Sequence, residues 1–176
     1  MKSIATTLLI ALYLVGCSTT NSMLHLAPDY SALPVTELEQ MAASVETIVA
    51  AGEADFTLED SGSITIDTVQ LKQAIRNRVI RHELLSELLD TGFATEKENG
   101  LIAIERSSAY KKARSSRQRD RDALLVMSEN ENRWTIYEGL IEINEWAPRG
   151  LSAVQETFFK ARVPLMAAGQ RHDSVI

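Results

Sequence analysis

The sequence predicts a mainly α chain of the α+β class, with about four helices and one small β-hairpin. Three observations carry this expectation. Apolar residues recur at three- and four-residue spacing over long stretches, the signature of helices that bury one face. One short stretch, Glu96-Lys97-Glu98-Asn99-Gly100, is a polar turn between two apolar runs, as in a hairpin. Gly52, Gly92, Pro148 and Gly150 stand where the periodic segments stop.

Taken in order, the chain opens with Lys2, an apolar run from Ile4 to Leu12, and Leu14-Val15-Gly16-Cys17. The apolar run is about half of the roughly 20 residues that span a bilayer, and its flanks are those of an export signal. Leu14-Val15-Gly16-Cys17 resembles the lipobox of bacterial lipoproteins at each of its four positions. The resemblance implies a signal peptide over 1–16, cleavage before Cys17, and lipid on that sulfur. Ser18 in the next position, rather than Asp, implies delivery to the outer membrane of a Gram-negative envelope. Cys17 is the single cysteine, so once lipidated it leaves no thiol for a disulfide, a cysteine metal site or a nucleophile.

Residues 17–35 are polar and carry Pro28 and Pro34, a composition suited to a tether. The folded body is expected over 36–169. The full chain has 18 Lys+Arg against 24 Asp+Glu, and loss of Lys2 with the signal makes the body more acidic still. Nucleic acid is therefore a poor partner for an exported, acidic chain.

Thr36 and Glu39 form a capping-box pattern for a first helix reaching about Ala51, with Leu38, Met41, Ala42, Val45, Ile48 and Val49 on one face. Between Glu53 and Asp67 a brief strand near Ser63 to Ile66 is expected from alternating Ile64 and Ile66. Asp67, with Gln70 three residues on, is the expected cap of a second helix through Val69, Ile75, Val79, Leu84, Leu85, Leu88 and Leu89 to Asp90. Gly92 occupies the position just past its end. The hairpin follows, with Asn99-Gly100 supplying positive φ. A third helix is expected from about Arg117 to Asn144, preceded by a turn around Ala109 to Arg114, with Leu124, Leu125, Ser128, Asn132, Ile136, Leu140 and Ile143 inward. Ser152 and Gln155 suggest a capping box for a last helix through Val154, Phe158, Ala161 and Met166, which Pro164 kinks or ends. The tail over 170–176 reads as loose.

Two clusters stand out as candidate sites. Glu129, Arg133 and Tyr137 lie at i, i+4 and i+8, so their side chains can meet along one helix edge. They suit either a recognition edge or a structural cluster that fixes the hairpin to the third helix. Lys111, Lys112, Arg114, Arg117, Arg119 and Arg121 form a basic stretch with Asp120 as its single acid, suited to anionic lipid head groups, lipopolysaccharide, peptidoglycan or an acidic partner, or to a solvated helix start. Enzyme signatures are missing: His25, His82 and His172 have no metal-ligand spacing, and no G-x-S-x-G elbow, phosphate loop or H-E-x-x-H occurs. No cofactor and no metal is expected. Trp146, Phe158 and Phe159 around the last helix serve either a partner or the domain's own core. An apolar groove open beside the hairpin would mark a chaperone-like binder rather than a closed structural domain.

Gly92, Glu96, Gly100-Leu101-Ile102, Glu129-Asn130, Arg133 and Tyr137 together, in this order and spacing, resemble the YdbL-like periplasmic proteins, a domain of unknown function. The resemblance runs from about Leu71 to Gly169. It departs at Thr95, where the family has glycine, and at the lipobox, since typical members are soluble after cleavage. It implies a non-enzymatic role beside AsmA-like bridge proteins that carry phospholipid between membranes, and beside a small outer-membrane lipoprotein that completes the bridge.

Overall fold

The computed structural model describes residues 27–174. Cys17, His25 and the expected signal segment lie outside them. Five α-helices and a three-stranded sheet make up the body. The helices are α1 (Val35–Ala51), α2 (Val69–Asp90), α3 (Ser108–Ala113), α4 (Ser116–Ile143) and α5 (Leu151–Arg162). The strands are β1 (Ala94–Glu96), β2 (Ile102–Ile104) and β3 (Arg171–His172). The fold class is mainly α with a little β, as expected, with α3 the extra turn ahead of the long helix.

Helix α1 packs on α2 and α5, and α2 packs along α4. Leu38, Ala42, Val45, Ile75, Ile136, Tyr137, Leu140 and Phe158 are fully buried where these helices meet. A second, smaller core joins Leu85, Leu88 and Leu89 of α2 to Ala94, Ile102 and Val126 beneath the hairpin. Phe158 and Phe159 are both buried, and Trp146 packs against the main core, so these aromatics complete the domain itself.

Helix starts differ from the expected caps for local reasons. The first ladder bond of α1 runs from Leu38 to the Pro34 carbonyl, so Thr36 already lies inside the first turn and caps nothing. Glu37, one residue on, instead accepts from the Ser63 amide and hydroxyl at 2.7 and 2.6 Å. Thr68 rather than Asp67 caps α2, its hydroxyl accepting from the Leu71 amide. Ser115 and Gln118 make a reciprocal capping box on α4 that fixes its start. Helix α5 grows directly out of the 3₁₀ turn Pro148–Gly150, so Ser152 and Gln155 form no box. The 3₁₀ turn Val163–Leu165, containing Pro164, ends α5. Gly92, at φ +66°, closes α2 in a Schellman motif: Phe93 donates to the Leu88 carbonyl and Gly92 to that of Leu89.

No strand forms over Ser63 to Ile66; a single bridge joins Ser61 and Ile64. Side chains take the place of a neighbouring strand there. Asn144 Oδ1 accepts from the Thr65 amide, and Asp60 Oδ1 accepts from Ile66 and Asp67. Ile64 and Ile66 still bury completely.

The tail is not loose over its described part. β3 pairs parallel with β1, the Asp173 amide donates to the Glu96 carbonyl, and the Asp173 carboxylate pairs with Lys97 at 2.7 Å. In the hairpin turn only Gly100 has positive φ; Asn99 instead accepts from the Leu101 amide through its side chain. The folded body also reaches back into the expected tether, where Leu33 packs on the core and Tyr30 donates to Glu156. Val69, Leu84 and Leu124, expected inward, are 88%, 58% and 63% exposed. Ile143, also expected inward, lies at the exposed end of α4.

Candidate functional site

Six buried charged side chains of alternating sign form a closed circuit at the centre of the body. Glu46 of α1 accepts from Arg78 of α2 through both oxygens at 2.9 Å. Arg78 Nε reaches Glu129 Oε1 of α4 at 2.8 Å, and the same oxygen accepts from Arg133 Nε at 2.7 Å. Arg133 grips Glu96 of β1 in a bidentate pair at 2.7 and 2.8 Å. Arg162 of α5 closes the circuit, with Nη1 on Glu96 at 2.8 Å and Nε and Nη2 on Glu46 at 3.0 and 2.9 Å. Four helices and the central strand are thus tied at one point, and the ring is neutral.

The hairpin turn is locked to this ring through one carbonyl. Gly100 O accepts from Tyr137 at 2.9 Å and from Arg133 Nη1 at 3.1 Å. The Tyr137 hydroxyl in turn accepts from Arg162 at 3.2 Å. A Cβ on residue 100 would lie 2.8 Å from the Gln155 carbonyl and 2.9 Å from the Tyr137 hydroxyl, so glycine is required by space as well as by φ. Asn130, next to Glu129, holds the other strand: its side chain accepts from the Ile102 amide and donates to the Ile102 carbonyl, both at 2.9 Å.

Electrostatics keep all three carboxylates ionised. Burial by itself would raise the Glu129 pKa, but the Arg78 and Arg133 guanidiniums overcome it and hold the group at about 2. Glu96 is lowered in the same way, burial opposed by Arg133 and Arg162, and Glu46 by Arg162 and Arg78. Groups in this condition have no proton to give or take near neutrality.

Over the ring opens a groove of about 210 Å³ beside β1. Its walls are apolar: Val49 of α1, Leu85 and Leu89 of α2, and Leu165 and Met166 just after α5. His82 and Ser86 stand at its polar side, 3.4 Å apart, and Gln170 bonds Asp90 across the rim at 2.7 Å. Burial pushes the His82 pKa down, with the Glu129 charge pulling the other way.

Glu96, Glu129 and Arg133, singled out in the sequence, meet in this ring; Tyr137 is bound to it through Arg162, and Asn130, next to Glu129, acts on the hairpin edge. Three members escaped sequence reading: Glu46, Arg78 and Arg162. Each had a signal. Glu46 falls four residues after Ala42, Arg78 three after Ile75, and Arg162 four after Phe158, so each puts a charge on an otherwise apolar helix face.

The basic run is divided. Arg114 pairs with Glu87 at 3.0 Å and lies over the Phe93 ring, and Arg119 donates to the Arg114 carbonyl at 2.6 Å, so both fix the α3–α4 corner. Lys111, Lys112, Arg117 and Arg121 are exposed. His82 and His172 lie on separate elements, and among the described residues no group of three His, Cys, Asp or Glu is placed to hold a metal ion.

With this geometry in view, comparison with known proteins gave no match. No family model fits the chain, and neither a curated protein nor a solved structure is similar to it.

Proposed function

We propose that this chain is a non-enzymatic lipoprotein of the bacterial envelope, tethered through lipid on Cys17, that receives an apolar segment of a partner protein in the groove beside its hairpin. The groove over the ring carries this reading. Its walls are mostly apolar, its floor is the neutral ring, and it opens next to the hairpin, which suits a chaperone-like binder. The ring supports a binding role over acid–base chemistry, because each carboxylate is committed to two guanidiniums.

The resemblance to YdbL-like proteins suggests the partner: an AsmA-like bridge protein of intermembrane phospholipid transport, or the small outer-membrane lipoprotein that completes it. A photo-crosslinking residue at the exposed groove position Leu165, compared with one at exposed Glu142, tests this in intact envelopes. Recovery of the bridge protein or the small lipoprotein from position 165 alone is the expected result, reduced in the Cys17→Ala chain. Capture of cell-wall enzymes, or of nothing beyond the position-142 control, overturns the proposal.

A further inference from the structure

Three of the exposed large apolar residues, Ile80, Leu84 and Leu124, lie along the seam of two helices. Helices α2 and α4 run antiparallel, since Arg78 meets Glu129, Asn77 meets Asn132 at 3.1 Å, and Glu87 reaches Arg114 just ahead of α4. The partly buried Asn77–Asn132 bond marks the outer edge of their seam. Ile80 and Leu84 follow Asn77 at three and seven residues, which keeps them on that edge, and they are 72% and 58% exposed. Leu124 precedes Asn132 by eight residues, faces the same side at the level of Leu84, and is 63% exposed.

The same edge of α4 becomes basic toward its start. Arg121 and Arg117 precede Leu124 by three and seven residues, both exposed, and the adjoining α3 adds exposed Lys111 and Lys112. Glu87 is taken by Arg114, and Asp120, Glu83 and Glu131 stand against four exposed cations, so this corner keeps a small positive excess on a chain that is acidic as a whole. Leucines and an isoleucine on a helix seam that ends in arginines form an interfacial surface, apolar contact beside cations. No helix among the described residues is long and apolar enough to cross a membrane.

We infer that the α2–α4 seam, with Ile80, Leu84 and Leu124 as its apolar contact and Arg117 and Arg121 as its cations, docks the folded body on an anionic lipid bilayer. Charge complementarity chooses the occupant. The chain as a whole is acidic, so anionic headgroups repel most of its surface and attract this corner, which orients the body as it lands. The contact is separate from the groove, which lies on the other side of α2 between α1 and β1. A body lying on this seam therefore leaves the groove open.

The test uses the chain from residue 17 with Cys17→Ala, which keeps every element described above and removes the lipid. Its co-sedimentation with vesicles of phosphatidylcholine containing about 30% phosphatidylglycerol is compared with that on phosphatidylcholine alone. Binding to the anionic vesicles only, weakening as salt is raised, is expected. Each cation near such a surface contributes about 1 kcal/mol, about fivefold in partitioning, so Arg117→Gln with Arg121→Gln should lower it about 25-fold. Leu84→Ser with Leu124→Ser, at unchanged charge, should lower it severalfold, and circular dichroism confirms that these surface variants fold. No preference for the anionic vesicles, or binding that both pairs of substitutions leave unchanged, overturns the inference. Vesicle binding that fails while position 165 still crosslinks to the bridge protein refutes the seam and spares the groove.

Discussion

Removing Arg133 tests the ring most directly. Arg133→Ala deletes three bonds to Glu96 and Glu129 and one to the Gly100 carbonyl. Breaking a buried pair costs about 3 to 5 kcal/mol when a charge is left alone. Here neither carboxylate is left alone, because Glu96 keeps Arg162 and Glu129 keeps Arg78. Gly100 O likewise keeps Tyr137. The loss should therefore fall near the lower end, about 3 kcal/mol. With a urea dependence of about 2 kcal/mol per molar, the midpoint drops by about 1.5 M at unchanged slope. Trp134 on α4 and Trp146 just after it report the transition by fluorescence. A loss below about 1 kcal/mol at the same slope would refute the claim that the ring holds the hairpin to the bundle. Arg149→Ala is the internal contrast: its pair with Asp29 is exposed, and the midpoint should not move.

Three further outcomes follow from the same geometry. Glu129 has its folded pKa depressed to about 2, so its stabilisation is complete above the unfolded value near 4.5 and is lost as pH falls toward 2. Calorimetry should find the melting temperature level from pH 7 to 5 and falling steeply below 4.5; a level profile down to pH 3 would contradict the ring's ionisation. Gly100→Ala meets the Gln155 carbonyl and the Tyr137 hydroxyl at positive φ, and should cost about 1 to 3 kcal/mol by thermal melting. Truncation after Gly169 removes β3 and the Asp173 contacts, so the Glu98 amide, which donates to the Asp173 carboxylate, should exchange faster with deuterium while the α1 core amides do not change.

What could be read from the sequence was local. Periodicity placed the helices because burial of one face repeats every three or four residues, and Gly92 and Gly100 marked the α2 stop and the hairpin turn because their φ is positive. Caps were read less well. Thr36, Asp67 and Ser152 all had the right residue type, yet Pro34, Thr68 and the Pro148–Gly150 turn began those helices. A polar residue near a helix start is one of several donors and acceptors competing for the same few backbone groups, and neighbours from elsewhere decide the winner. Glu37 shows this, having been taken by Ser63.

The site divides along the same line. Glu129, Arg133 and Tyr137 were legible as one edge because one helix carries all three at four-residue steps. Glu46, Arg78 and Arg162 come from three other helices, and a charge on an apolar face announces only that it needs a partner. Which partner is a matter of how the helices cross. The sequence by itself determined the helices and most of their buried positions, the hairpin, the acidic balance and the lipobox-like Cys17. Tertiary structure alone decided that six charges close into a neutral ring, that a groove opens above it, and that Leu84 and Leu124 face outward beside Arg121, because each depends on the distance between residues far apart in the chain.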